Sequence, residues 1–312
     1  MQINVPESEF KPLLDRDKAA ADVREHLGPW TGLMHDLTNY GSNLIPRCYN
    51  SSEKQLKDAL ILGVLLRQVV AMLDGVQILL SSGATHAAHL ELRALFEASV
   101  YIEWMLARDS EEKATYYYVH DLRRQRLWAT RLQPGSPERN EFTPMMNKWG
   151  VDVSQYGKMN DERMSEIDRV LSEPQLAAVN KDFEKHRREK HDAAWYVPLG
   201  QRNFRRMVRT LGKEALYMFI YSGASEVMHA SSYGHHVRFS KGEITFRPIR
   251  SPEEFVCLYF QRQHCALYVP ANFGGIPARR ASSTNPDVSA EVAKTSYELP
   301  ENSSSVLKTT RI

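Results

Sequence analysis

Features that usually reveal a function class are scarce in this chain of 312 residues. Its three cysteines, Cys48, Cys257 and Cys265, form no CxxC pair, and an odd number excludes a fully paired disulfide framework. We therefore expect a reducing compartment. The 40 basic and 38 acidic residues leave a net charge of +2, so the overall field does not indicate a nucleic-acid binder. Any basic surface must be local.

Long hydrophobic runs are also missing. The longest, Ala59 to Leu66, is broken by Arg67 and falls well short of the roughly 20 residues that span a bilayer. The segment from Met1 to Glu7 lacks the basic region and apolar stretch of a signal peptide. Because 42% of the residues are hydrophobic and 25% are charged, the composition is that of an ordinary globular protein. We expect a soluble, cytoplasmic protein with no membrane contact.

Familiar cofactor and nucleotide motifs are absent as well. The sequence contains no Walker A loop, no GxGxxG, no zinc-finger spacing and no GxSxG elbow. We therefore expect no cofactor, and no single motif names a reaction. Function has to be inferred from the periodicity of the chain and from local groups of polar residues.

Helical periodicity predicts an all-α fold, a multi-helix bundle with one appended β-hairpin and a disordered C-terminal tail. Residues 1–50 carry several Pro and Gly breaks and are predicted to form an N-terminal arm or short helices. Residues 51–270 are the predicted bundle domain. Residues 271–312, rich in Ser, Thr, Asn and Pro, are the predicted tail.

Within the bundle, the alternating residues around Lys241-Gly242 predict a hairpin at 237–246. Residues 133–160 contain Pro and Gly breaks and are predicted to be an irregular excursion. Ser251-Pro252-Glu253-Glu254 is a strong helix start. The predicted helices cover residues 53–81, 84–107, 111–132, 161–190, 202–211, 213–231 and 251–268.

The helix predicted at 84–107 carries a polar stripe on a mostly apolar surface. His86, His89, Arg93 and Glu97 are spaced by three or four residues and share one face. A buried arginine needs a partner, so we predict a direct Arg93–Glu97 pair in the bundle interior. Either this pair only fixes helix packing, or Arg93 faces a ligand.

The helix predicted at 213–231 carries a matching face. Ser222, Ser225 and His229 are spaced by three and four residues. If this face meets Arg93 and Glu97, the bundle holds a group of side chains suited to anion binding or proton transfer. A buried structural histidine, with serines bonded to their own helix, is the alternative.

These two segments resemble a bacterial helical family of unknown function over roughly residues 55 to 235. The LRxLxE pattern at Leu92–Glu97 and the SxxxHxS pattern at Ser225–Ser231 carry the resemblance, together with Ala194-Trp195-Tyr196. It implies that Arg93, Glu97, Ser225 and His229 form one site, but it supplies no activity. Of these residues, His229 is the predicted acid or base.

Two enzyme classes were compared with these residues. A weaker resemblance to HEPN nucleases concerns the fold only, because their Arg and His pattern is absent; the nearest pair, Arg187 and His191, is one residue short. A metal-dependent HD phosphohydrolase is a less favoured alternative built on His89, His120-Asp121 and Asp182. The basic residues after Asp121 would repel a cation, so we expect no metal site.

A local basic stripe completes the candidates. Arg202, Arg205, Arg206 and Arg209 recur with helical spacing and are predicted to bind phosphates, although such a stripe is also common on a solvated helix face. The sequence therefore favours a polar inter-helical site that binds or acts on an anionic ligand such as a nucleotide or RNA. The alternative is a non-catalytic module that binds a protein partner.

Overall fold

Helices make up most of the described chain, as the periodicity predicts. The computed structural model describes residues 14–51, 57–187, 192–231, 233–240 and 243–250, and all of them belong to one compact unit. The first seven helices are α1 (Arg16–Ser51), α2 (Lys57–Ser81), α3 (Thr85–Ala107), α4 (Ser110–Thr130), α5 (Pro137–Lys148), α6 (Gly157–Leu171) and α7 (Pro174–His186).

The remaining elements are shorter. Residues 214–228 form one continuous helix in which a π-helical turn lies between two α-helical pieces. These elements are a 3-10 turn (Val153–Tyr156), α8 (Phe204–Thr210), α9 (Glu214–Leu216), the π turn (Tyr217–Ser222), α10 (Gly223–Met228), α11 (Tyr233–His236), β1 (Val237–Ser240) and β2 (Glu243–Phe246).

The predicted fold class is confirmed: a helical bundle carries a single hairpin. Strands β1 and β2 pair antiparallel, with Phe239 opposite Ile244 and Ser240 opposite Glu243, so the chain reverses at the predicted turn. The helix predicted at 251–268 and the tail predicted from residue 271 lie outside the described residues.

Helix α2 is central because it packs against α1, α3 and α4. Its buried residues include Leu65, Leu73 and Leu80. Gly83 separates α2 from α3 with a φ of +75°, a conformation that favours glycine, and an added Cβ would meet the side chain of Ala19 at 3.1 Å. The predicted end of α2 at Gly83 is therefore confirmed. Helix α3 in turn packs against the π turn and α10.

The same helix bears on the predicted absence of a membrane segment. Among the described helices, Asp58–Ser81 is the one long and apolar enough to cross a membrane, by length and composition only. The single apolar run read from the sequence, Ala59 to Leu66, understates this length. Several of its apolar side chains are buried against neighbouring helices, as in the core helix of a soluble protein.

Three local predictions differ from the structure. Residues 16–51 form one 36-residue helix although Pro29 and Pro46 lie inside it, because Val23 and Leu27 bury its inner face. The predicted excursion contains α5, whose start is capped by Ser136 accepting from the Arg139 amide at 3.0 Å. The helix predicted at 161–190 is two helices, because Pro174 begins α7.

Candidate functional site

Arg93 is half-buried on α3, where this helix meets α10 and the π turn. Its Nη2 donates to the Tyr221 hydroxyl at 2.9 Å and its Nη1 donates to Met228 Sδ at 2.7 Å. The guanidinium carbon also lies 4.3 Å from the centre of the Tyr221 ring. Helix α3 therefore meets the later helix as expected, but through different residues.

The predicted Arg93–Glu97 pair is wrong. Glu97 instead accepts a hydrogen bond of 2.7 Å from the Tyr101 hydroxyl, one turn further along α3. Arg93 forms no ion pair with any carboxylate of the described chain. One-turn spacing allows a pair but does not require it, and both side chains have aromatic hydroxyl partners close by. Glu97 raises the pKa of Tyr101, although burial contributes more to that shift.

Ser225 and His229 do not join Arg93 in a hydrogen-bonded group. Ser225 is half-buried, and His229 is exposed at the end of α10. Ile220 and Ala224 are fully buried and share a face with Met228, four residues on, so this apolar face packs towards the bundle. Residues 222, 225 and 229 do not share the helical positions 220, 224 and 228 and therefore lie on a different face of the helix.

The structure instead places four side chains in one stack, which we call the arginine–tyrosine ladder. Their order is Arg93, Tyr221, Tyr217 and Arg205. The rings of Tyr217 and Tyr221 lie 5.0 Å apart and are nearly parallel, at 18°. Arg93 covers the outer face of the Tyr221 ring, and the guanidinium carbon of Arg205 lies 5.8 Å from the centre of the Tyr217 ring. The ladder therefore joins the predicted polar site to the predicted arginine stripe.

The predicted arginine stripe lies on α8, apart from Arg202, which precedes this helix by two residues. Its side chains are exposed, as their spacing predicts. Arg202, Arg205, Arg206 and Arg209 are all exposed. Two of them share one acid: Arg205 and Arg209 donate to Glu214 at 3.1 and 2.7 Å. Part of the positive charge on this face is therefore neutralised locally.

The tyrosines of the ladder were missed by the sequence reasoning, because the π turn that carries both of them has no recognisable signal. Such turns are rare and occur frequently at functional sites. Tyr217 and Tyr221 are half-buried, so their rings are partly accessible. Burial raises the pKa of the Tyr221 hydroxyl, and the hydrogen bond from Arg93 acts in the opposite direction. The hydroxyl is therefore neutral at physiological pH.

An aromatic cluster supports the ladder from below. Phe204 lies 4.9 Å from Tyr221 and 5.7 Å from Tyr101, measured between ring centres, and buried Trp195 lies 5.2 Å from Tyr101. Burial is the largest cause that raises the pKa of neighbouring Tyr196, to about 12, followed by the charge of Glu97. These rings pack around Tyr101 and Tyr221 and fix their position.

The chain was also compared with known proteins. The model of a family of unknown function, DUF5677, matches residues 59–244. The chain belongs to this family. No curated protein and no solved structure matches the chain. The DUF5677 region runs from the start of α2 into β2 and therefore contains the whole ladder, which confirms the resemblance to a family of unknown function.

A second polar centre of this DUF5677 chain lies where α4 meets α7. Arg123, whose side chain is 8% exposed, donates to both carboxylate oxygens of Asp192 and to Glu184 at 2.8 Å. It also donates to the backbone and side-chain oxygens of Asn180. These residues line a cleft of about 490 Å³ together with Arg126, Asp168 and Arg187.

The metal-dependent alternative has no matching geometry. In the part of the chain that the structure describes, no group of three or more His, Cys, Asp or Glu side chains is arranged to hold a metal ion. Asp182 accepts from Tyr116 at 3.0 Å and from Lys185 at 3.0 Å, and the His120 ring packs near Phe183. The Asp182 carboxylate of the HD pattern is thus occupied by other partners.

Proposed function

We propose that the arginine–tyrosine ladder binds an anionic ligand with planar rings, namely a nucleotide or a strand of RNA. The observation that carries this proposal is Arg93. Only two of the five N–H groups of its guanidinium donate to described residues, and both acceptors are uncharged. The remaining donors and the full positive charge are therefore suited to a phosphate from outside the protein.

The two stacked tyrosines supply the second half of the proposed recognition. The outer face of the Tyr217 ring becomes available to a base when exposed Arg205, whose guanidinium carbon lies 5.8 Å from the ring centre, turns towards a phosphate. Such contacts between a base and a tyrosine ring do not depend on sequence and contribute about 1–3 kcal/mol each in proteins that bind single strands. Arg205 at the far end of the ladder, with exposed Arg202 and Arg206 beside it, offers further cations for phosphates along the strand.

A test uses a fluorescein-labelled single-stranded RNA and fluorescence anisotropy, starting at about 50 mM salt. We expect Arg93→Met to weaken binding about tenfold and to lower the log-log salt slope by about 0.7, the value for one lost phosphate contact with a single strand. Tyr217→Leu should weaken binding with an unchanged slope, because stacking releases no counterions. Arg169→Met, at an exposed arginine on α6, is the matched control.

Two results would overturn this proposal. One is the absence of RNA and nucleotide binding by the wild type at low salt. The other is an equal loss of affinity in Arg93→Met and Arg169→Met, because RNA would then respond to overall charge only. In either case the alternative of a non-catalytic module with a protein partner would be favoured.

We also propose that, if the ligand is transformed, His229 is the acid or base and Ser225 a neighbouring polar group. His229 is exposed one residue after Met228, which contacts Arg93, so a bound strand can reach its imidazole. His229→Gln should abolish conversion of the bound RNA or nucleotide and leave its binding affinity unchanged. Loss of binding or of folding in this variant would instead assign the residue a structural role.

For localisation we propose the cytoplasm, because an odd number of cysteines with no CxxC pair excludes a fully paired disulfide framework and favours a reducing compartment. Cell fractionation with a tagged full chain tests this. Recovery in the membrane fraction, through the long apolar helix α2, would contradict it.

A further inference from the structure

Four histidines from two distant parts of the sequence meet at the start of α3. His86 and His89 lie one turn apart on α3, and His235 and His236 are the last two residues of α11. The His86 ring centre lies 4.8 Å from that of His236 and 6.1 Å from that of His235, and His89 lies 6.5 Å from His235. We call these residues the histidine cluster.

His89 is the buried member of the histidine cluster. It is 6% exposed, and its Nδ1 is buried without a hydrogen-bond partner in the described chain. Protonation would make both ring nitrogens donors and would add a buried charge. No acceptor is in place for the new N–H group, so the packed cluster requires a neutral His89.

The groups around His89 act in the same direction. Burial lowers the pKa of His89 most, and the charges of His235 on α11 and His86 on α3 lower it further, to about 4. No carboxylate of the described residues, on α3, α11 or the neighbouring α2 and α10, opposes these effects.

The contact between α3 and α11 also attaches the β1–β2 hairpin to the bundle. Strand β1 follows α11 directly, and the amide of Arg247, just after β2, donates to the carbonyl oxygen of His236 at 2.9 Å. Helix α11 and the hairpin therefore form one small body. A two-stranded hairpin is at best marginally stable alone, so its order depends on attachment to the bundle. Arg250 adds one further attachment, by donating to the carbonyl oxygen of Ser82.

We propose that the histidine cluster is a pH-dependent latch that holds α11 and the hairpin on α3 near neutral pH and releases them on acidification. The sign follows from proton binding. The packed His89 takes up its proton near pH 4, whereas a released imidazole does so near pH 6.5. The released state therefore gains protons first as the pH falls. Packing is complete above about pH 6.5 and is lost progressively below it.

The latch is independent of the ligand of the ladder. If release of α11 fully solvates His89, linkage at this residue alone lowers the equilibrium constant for packing by about 30-fold from about pH 8 to about pH 5. Because α11 follows α10, whose Met228 contacts Arg93, release would also uncover the end of the polar stripe on α3. Acidification would then change access to the stripe without any change in the ladder itself.

Hydrogen exchange measured by mass spectrometry tests the latch in the full chain, with rates corrected for the intrinsic effect of pH. We expect amide protection in residues 233–246 to fall about 30-fold from pH 8 to pH 5, while peptides of α4 stay protected. His89→Leu should remove this pH dependence. His235→Gln, which removes one of the two nearby charges, should reduce it and serves if His89→Leu does not fold. His35→Gln, at an exposed histidine on α1, should behave as the wild type.

Three outcomes would overturn the proposal. Protection of residues 233–246 that does not change between pH 8 and pH 5 is the first. An equal loss of protection in α4 over the same range, which indicates general unfolding, is the second. The third is the wild-type pH dependence in both His89→Leu and His235→Gln.

Discussion

Two arginines, Arg123 and Arg93, lie at helix contacts of the same bundle but have different partners. Arg123 makes five hydrogen bonds to Asp192, Glu184 and Asn180, enough for every N–H group of its guanidinium, and two of these partners are carboxylates. Arg93 makes two hydrogen bonds, to a hydroxyl and a thioether, and covers a tyrosine ring.

The difference separates a structural arginine from a candidate ligand-binding one. At Arg123 the charge is neutralised and the donors are used, so the residue fixes α4 against α7 and the segment that carries Asp192. At Arg93 the charge has no carboxylate partner in the described chain, and the side chain is partly accessible. A sequence cannot distinguish the two cases, because both arginines lie on amphipathic helices close to acids.

The largest effect expected from this comparison is on stability at Arg123. Arg123→Met would leave Asp192, whose side chain is 18% exposed, without its partner. Removing one side of a buried ion pair costs about 3–5 kcal/mol in the free energy of unfolding. Urea unfolding followed by far-UV circular dichroism measures this loss.

The exposed pair of Arg169 and Glu166 on α6 provides the control for this variant. Arg169→Met should leave the unfolding midpoint unchanged, because exposed ion pairs contribute little. If Arg123→Met unfolds at the same urea concentration as Arg169→Met, Arg123 does not hold the helices together. Burial raises the pKa of Asp192 and Arg123 lowers it, so this pKa should rise in Arg123→Met.

The fold was predictable to a large extent, and particular residues explain the limits. Period-3.6 patterning located α2, α3 and α4, and Lys241-Gly242 located the hairpin. The helix α5 was missed although Ser136-Pro137-Glu138 is a cap signal, because Pro144 and Gly150 hide the periodicity that follows. Pro29 and Pro46 suggested breaks in α1, but burial against α2 outweighs the cost of an internal proline.

The candidate site was predictable only in part. The stripe on α3 follows from spacing, whereas its contact with the later helix was a conditional expectation, and the partners of Arg93 depend on rotamers and on the π turn. The histidine cluster requires residues 86 and 235 to meet, a contact between elements that lie 149 positions apart and carry no shared motif. Local patterns determine which face of a helix is polar, but they do not determine which side chain of another element contacts that face.

A smaller loss in the free energy of unfolding is expected at Glu97. Its size differs between two interpretations of the stripe on α3, an Arg93–Glu97 pair and a Glu97–Tyr101 hydrogen bond. An Arg93–Glu97 pair would make Glu97→Gln cost about 3–5 kcal/mol. Because Glu97 accepts from Tyr101 instead, we expect a loss of about 1–2 kcal/mol.

Tyr101→Phe provides the matched variant for Glu97, since it removes the same hydrogen bond from the other side. It should cost about as much as Glu97→Gln, and the double variant little more than either. Full additivity of the losses in Glu97→Gln and Tyr101→Phe would show that the hydrogen bond to Tyr101 is not the main interaction of Glu97. Coupling between Glu97→Gln and Arg93→Met would show the same. Thermal or urea unfolding of the four proteins decides this.

The smallest expected effect on stability is at Glu214, and it tests whether the difference between Arg123 and Arg93 extends to the protein surface. Glu214 neutralises Arg205 and Arg209, as Asp192 and Glu184 neutralise Arg123, but all of its partners are exposed. Glu214→Gln keeps the shape of the side chain and should leave the melting temperature unchanged. It frees Arg205, which lies beside Tyr217, and Arg209, so RNA affinity should rise and the salt slope should steepen by about 1.4, or about 0.7 for each freed cation.

The matched variant for this last comparison is Glu166→Gln, which removes one of the two acids paired with Arg169 on α6, away from the ladder. It changes the net charge by the same amount and should have little effect on RNA affinity, because no aromatic stack lies beside Arg169 in the described chain. If both variants raise the affinity equally, RNA responds only to net charge. If Glu214→Gln alone does so, Arg205 and Arg209 belong to the binding surface, because an arginine attracts a phosphate more strongly when no acid in the protein neutralises it.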